Sequence, residues 1–349
     1  MDIDHLDTPV AIVDLDLLQE NINRLQSHLD RYGIQCRPHI KTHKIPEIAH
    51  MQISAGAVGI TCQKLGEAEV MAQAGIDDIF LPYNIIGQDK LERLVNLSRR
   101  VRISVTADSD YTAQGLSEAL QDSGQELAVL VEFDSGLDRC GVRSPKEAAD
   151  LALLIDRLPG LHFAGLMTYP SNDHVGSFVK ATAELLQPDG LKIEQVSGGG
   201  SPAAWRAQDY PEISEHRAGM YVYGDRYGIA HGVLTLAQCA LKVLATVVSR
   251  PTSNRGILDA GSKVLSSDMM GLDGYGLILE YPDAEIYQLS EEHGHVEFPA
   301  QQRAPAVGER VTILPNHVCA VSNLFNEIVG VRGDQVEVVW PVAARGLLR

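Results

Sequence analysis

The sequence predicts an α/β protein: a (β/α)8 TIM barrel followed by a small β domain. Three observations carry that expectation. Short β-branched runs alternate with amphipathic helical stretches through residues 16–237, and such alternation gives a parallel sheet covered by helices. About eight such units occupy roughly 200 residues, which is the count and length of a (β/α)8 barrel. Beyond residue 238 the rhythm changes, and strand-like runs follow one another without helical spacers.

The first extended run, PVAIVDL, lies outside the barrel count. Residues 8–15 are therefore expected to join the β domain of residues 238–349. LLQENINRLQSHL then places Leu18, Ile22, Leu25 and Leu29 on one helical face. Barrel strands are expected at 35–40, 57–62, 79–82, 102–107, 127–134, 162–169, 194–199 and 216–224. The helix LGEAEVMAQAG has Gly75 where a C-cap belongs. In the second region CALKVLATVVSRP, EIYQLSEE, HVEFP, RVTILP and NEIVGVRGDQVEVVWPV read as strands. The last folds into a hairpin at Gly333-Asp334. A doubly wound open sheet is the alternative, because periodicity does not reveal strand order.

Composition narrows the function classes. A net charge of -17 argues against nucleic-acid and anionic-membrane partners, both of which need a basic surface. The five cysteines are odd in number and never spaced as CxxC, which suits free thiols in a reducing compartment. The N-terminus is acidic where a signal peptide is basic. No run approaches the ~18 apolar residues of a membrane span. A soluble, cytoplasmic protein is expected.

The densest chemical cluster is Arg37-Pro38-His39-Ile40-Lys41-Thr42-His43-Lys44. It stands where the first barrel strand ends, on the face where barrel active sites are built, and Pro38 suits a strand end. A solvated basic loop is the plain alternative. A lysine behind an apolar residue at a barrel mouth is, however, the kind that forms a Schiff base. Gly198-Gly199-Gly200-Ser201 ends a late strand, where backbone amides can approach an anion; a purely structural turn is the rival. In Pro315-Asn316-His317-Val318-Cys319, a His and a Cys two apart on an extended segment point the same way and can ligate one metal ion. Arg139 can equally pair with Asp134 or Asp138. Cys140 reads as core, and Tyr221 and Tyr223 read equally as neighbours of the site or as alternating strand packing.

RPHIKTHK, preceded by DTPVAIVDLDLLQENI and followed by GAVGITCQKLGEAEVMAQAGIDDI, resembles the D-threonine aldolase and D-serine dehydratase family of alanine-racemase-like (fold-type III) pyridoxal phosphate enzymes. The likeness runs from about Thr8 to Phe325 with its motifs in order. It implies a homodimer with the active site near the interface, and pyridoxal 5'-phosphate carried on Lys41. His39, Arg139, Tyr169, Gly199, Gly200, Ser201, Arg217, Gly219 and Met220 would be cofactor neighbours. Arg217 would face the pyridine nitrogen, and Gly219 and Met220 the phosphate. His317 and Cys319 would be ligands of a divalent metal, Zn2+ or Mn2+, with Glu292 or His293 close by. The implied reaction is cleavage of a small D-3-hydroxy amino acid to glycine and an aldehyde, or loss of water to give a keto acid and ammonia. The sequence departs from the family where Pro170 follows Tyr169, and His174, the nearest histidine, becomes the candidate general base. A metal-independent racemase of the alanine racemase type is the alternative.

Overall fold

A computed structural model of the chain describes residues 1–300 and 303–349. The chain forms two compact units. One comprises Met1–Asn23, Thr42–Glu47 and Met220–Gly346; the other comprises Arg24–Lys41, Ile48–Gly219 and Leu347–Arg349. The first strand, β1 (Val10–Asp14), belongs to the former and is followed by the helix Leu15–Arg31, in which Leu18, Ile22, Leu25 and Leu29 are all buried.

The second unit is the barrel. Its strands are β2 (Gln35–Cys36), β3 (Ile60–Thr61), β4 (Asp78–Leu81), β5 (Arg102–Ala107), β6 (Leu127–Glu132), β7 (Leu161–Met167), β8 (Gln195–Gly199) and β9 (Glu215–Arg217). They pair in the order β2-β9-β8-β7-β6-β5-β4-β3, every pair parallel. A parallel bridge between His39 and Thr61 joins the two ends, with the Thr61 amide donating to the Pro38 carbonyl at 2.8 Å. Sequential neighbours and a closed edge rule out the doubly wound alternative. All four residues of β4 are buried, as expected of strands covered on both faces.

Two barrel strands are shorter than their sequence runs. Pro38 has no N–H for a ladder, so β2 stops at Cys36. After Arg217 the chain leaves the sheet, and Met220–Val222 form a 3-10 turn instead of continuing β9. Tyr221 and Tyr223 are buried, but not on alternating strand faces. The helices follow their end signals. Ser144 and Glu147 cap Pro145–Arg157 reciprocally, and Gly75 takes φ +89° beyond the end of Leu65–Gln73.

In the other unit β1 is joined by β10 (Leu241–Ser249), β11 (Arg255–Leu258), β12 (Leu277–Ile278), β13 (Glu285–Leu289), β14 (Gly294–Glu297), β15 (Arg310–Leu314), β16 (Glu327–Arg332) and β17 (Gln335–Pro341). β1 pairs antiparallel with β10 and parallel with β16, and β16 and β17 form the hairpin turning at Gly333 and Asp334. This region is not free of helices, since Ser262–Leu265 and Val318–Leu324 are helical. Among the described residues no helix is long and apolar enough to cross a membrane. All five cysteines are free, and Cys140 is exposed rather than core.

Candidate active site

Lys41 lies in the 3-10 turn Ile40–Thr42, immediately beyond the first barrel strand, and is half-buried. His39 shapes that turn. Its Nε2 is 3.0 Å from Gln63 Oε1, and its Nδ1 accepts the Lys41 amide at 3.4 Å. Since Gln63 offers an acceptor there, the ring proton resides on Nε2. Burial, reinforced by the charges of Lys41 and Arg217, holds the His39 pKa well below the usual histidine range, so the ring is neutral.

Tyr169 gathers two cations. The Lys41 Nζ lies 5.9 Å and the Arg139 guanidinium carbon 5.1 Å from its ring centroid. The ion pairs open to Arg139 are used otherwise: Asp138 binds Arg143 at 2.6 Å, and Asp134 accepts the amides of Gly136, Leu137 and Asp138. Arg217, at the end of β9, is buried. It donates to Ser197 Oγ at 2.6 Å and to the Thr168 carbonyl at 3.0 Å. Gly199 makes room for this group, because a Cβ there would stand 3.0 Å from the Tyr169 ring and 3.2 Å from Arg217 Nη2. The structure thus brings Lys41, Tyr169, Arg139, Gly199 and Arg217 together.

Gly200 and Ser201 follow the seventh barrel strand, and Gly219 follows the eighth. Among the described residues their amides donate to no protein acceptor, as an anion-binding backbone requires. Met220, the next residue, opens the turn Met220–Val222. A lysine at a barrel mouth, unclaimed amides after strands seven and eight, and a buried arginine fit pyridoxal 5'-phosphate. His174 is not part of this group. It begins the helix His174–Leu186, is exposed, and lines a shallow groove with Asp134, Ser135 and Arg143.

The His317–Cys319 pair lies in the other unit, in a different setting from the extended segment expected. His317 is the extended N-cap residue, and Cys319 is already in the first turn of Val318–Leu324. The helix starts there because the buried Asp225 accepts the Val318 amide through Oδ2 at 3.1 Å. The same Oδ2 lies 3.3 Å from His317 Nδ1, which has no aligned hydrogen-bond partner. Thr42 Oγ1 is 3.2 Å from Cys319 Sγ. Burial opposes charge on His317, yet Asp225 and Cys319 hold its pKa up at about 10. The pocket therefore favours a positive charge beside an imidazole and a thiol, a donor set suited to a borderline-soft divalent ion. Among the described residues no group of three or more His, Cys, Asp or Glu is arranged to hold a metal ion. Glu292 binds Lys263 at 2.6 Å in the turn between β13 and β14.

Comparison with known proteins decides the family. Residues 13–227 match the alanine racemase N-terminal domain, and residues 240–331 a putative serine dehydratase domain. A D-threonine aldolase from Arthrobacter sp. is 34% identical, over 99% of this chain and 94% of that protein. The chain belongs to the D-threonine aldolase and D-serine dehydratase family. It is accordingly an alanine-racemase-like, pyridoxal-phosphate-dependent lyase. The crystal structure of D-threonine aldolase from Filomicrobium marinum superposes with a TM-score of 0.89 at 32% identity, over 99% of this chain and 97% of that one. D-threo-3-hydroxyaspartate dehydratase from Delftia sp. is 31% identical, over 96% of this chain and 97% of that protein. Two solved structures of a D-threo-3-hydroxyaspartate dehydratase are alanine variants of a histidine and of a cysteine two residues further on, the latter metal-free; that form has a TM-score of 0.87 at 30% identity and covers 98% of each chain.

Four buried ionisable or polar residues were absent from the sequence reading. Glu132 ends β6, is 5% exposed, and has its pKa raised by burial to about 7 despite the nearby Arg139 and Arg217. Ser197, Glu215 and Asp225 are each fully buried. The signal for Glu215 was available, because it and Arg217 are two apart on one strand and so share a face.

Proposed function

We propose that the chain is a Zn2+- and pyridoxal-phosphate-dependent D-3-hydroxy amino acid dehydratase, removing water to give a keto acid and ammonia. The observation that carries this reading is the His317–Cys319 pair. A thiolate with an imidazole favours Zn2+, whereas a carboxylate in place of the cysteine would favour Mn2+. It also repeats the histidine–cysteine spacing of the variants solved for a D-threo-3-hydroxyaspartate dehydratase.

Pyridoxal phosphate, carried on Lys41 until a substrate amine displaces that lysine, would supply an electron sink for a carbanion at the α-carbon. Bound to His317 and Cys319, the metal would supply Lewis acidity to a β-hydroxyl. The protein's own groups do the rest. Lys41 Nζ takes the α-proton, and the neutral His39 fixes the lysine turn through the Lys41 amide without competing for that proton. Arg139, over the face of Tyr169, offers a cation for the cofactor hydroxyl or the substrate carboxylate. The amides of Gly200, Ser201 and Gly219 would hold the phosphate, and Arg217 the ring edge. In this scheme Lys41 replaces His174 as the base.

Retro-aldol cleavage is the second reading, favoured by the 34% identity to the Arthrobacter aldolase. Product analysis separates the two. Enzyme loaded with pyridoxal phosphate and Zn2+ is incubated with D-serine, D-threonine and D-threo-3-hydroxyaspartate, alongside L-enantiomers of the first two. Keto acid and ammonium without glycine support the dehydratase. Glycine with an aldehyde overturns it in favour of the aldolase, and interconversion of enantiomers without cleavage overturns both.

A further inference from the structure

We propose that Ser197 and Glu215 are positioning residues for Arg217, fixing the edge that its guanidinium presents at the barrel mouth. This rests on the reading of Arg217 as the group facing the cofactor ring. Glu215 and Arg217 share a face of β9, two residues apart, and Ser197 on the neighbouring β8 bridges them. Arg217 Nη1 donates to Ser197 Oγ at 2.6 Å, and Ser197 Oγ donates to Glu215 Oε1 at 2.6 Å. The direction is fixed by chemistry: a guanidinium only donates, so the single hydroxyl proton must point at the carboxylate.

The chain of bonds continues beyond Glu215. Its second oxygen accepts Arg37 Nε at 2.5 Å, Arg37 Nη1 binds Asp78 Oδ1 at 2.6 Å, and Asp78 Oδ2 accepts Arg102 Nη2 at 2.5 Å. Arg102 is 79% exposed, whereas Ser197 and Glu215 are fully buried. Gly59 leaves the space, since a Cβ there would fall 2.4 Å from Arg37 Nη1. Arg37 and Asp78 anchor Glu215, so the carboxylate cannot swing away from Ser197. On the other side Arg217 is held by the Thr168 carbonyl and stands 5.5 Å over the Phe80 ring. Glu132, Arg139 and Arg37 also act on it electrostatically.

The test uses Ser197→Ala, which cuts the link but keeps the Glu215–Arg37 pair, and Ser197→Thr, which keeps the hydroxyl. Arg217→Gln is the reference. Each is loaded with pyridoxal phosphate, and the visible absorbance of the bound cofactor and its dissociation constant are measured. We expect Arg217→Gln to shift the absorbance, Ser197→Ala to shift it in the same direction by less with about a tenfold rise in dissociation constant, and Ser197→Thr to restore the parent values. A parent-like Ser197→Ala beside a shifted Arg217→Gln overturns the positioning role alone. An unshifted Arg217→Gln overturns the premise that Arg217 faces the ring, and the inference with it.

Discussion

At the residue scale two side chains carry distinct, separable burdens. Lys41→Ala removes the only amine assigned to bear the cofactor, so dialysed protein should lose the visible band of the covalent linkage while the fold stays intact by circular dichroism. A retained band would move the linkage to another lysine. Cys319→Ala should keep that band but lose tightly bound Zn2+, because a lone imidazole is a poor zinc site. Metal content by atomic emission after dialysis checks it, and stoichiometric zinc in the variant would overturn the ligand assignment. Lys41, Arg217 and the His317–Cys319 pair were legible as candidates, because each belongs to a compact motif with a chemical reason for its residues. Glu132 and Ser197 were not, because nothing in a strand's sequence says which neighbour its inward side chain meets. Their partners Arg217 and Glu215 lie 85 and 18 residues on, and only the barrel's closure determines the meeting. His174 misled for the same reason. Closeness to Tyr169 in sequence is lost once residue 174 begins a helix on the outer layer.

At the scale of elements, the alternation of extended runs with helical stretches was enough to place all eight barrel strands, although Gln35–Cys36 and Glu215–Arg217 are shorter than the runs that announced them. What it missed was element ends governed by a distant partner. The helix Val318–Leu324 is such a case: no Ser, Thr, Asn or Asp at its own N-cap announces it, and His317 makes no capping bond. Its cap comes from Asp225, 93 residues earlier, which accepts Val318 N–H at 3.1 Å through one oxygen and Gly228 N–H at 2.8 Å through the other. One buried carboxylate therefore starts two helices, Arg226–Ala230 and Val318–Leu324, and stands behind His317. Asp225→Ala should cost about 2–4 kcal/mol, the sum of two charge-assisted capping bonds lost from a buried site. Denaturant unfolding of the metal-free protein measures it. A loss below about 1 kcal/mol would show that water replaces the carboxylate and that the double cap adds little.

For the whole molecule the deciding quantity is how buried titrating groups couple folding to pH. Burial raises the Glu132 pKa from 4.5 to about 7, while it lowers that of the fully buried His216 from 6.5 to about 3. The two act in opposite directions. The folded protein binds the Glu132 proton more tightly than the unfolded chain does, so that contribution is complete below about pH 4.5 and is lost as pH rises through 7. His216 binds its proton more weakly when folded, so its contribution is complete above about pH 6.5 and is lost as pH falls toward 3. Across the overlap the slopes offset each other, and the parent's pH profile hides both. Glu132→Gln removes one slope and leaves the other. Relative to the parent, the variant should gain stability progressively between about pH 4.5 and pH 7, by about 3 kcal/mol in all, with no further change outside that window. Urea unfolding of cofactor-free parent and variant at matched pH values gives this difference directly. Parallel curves from pH 4 to pH 8 would mean that the Glu132 carboxyl ionises in the folded barrel as readily as in water, with Arg139 and Arg217 offsetting its burial in full.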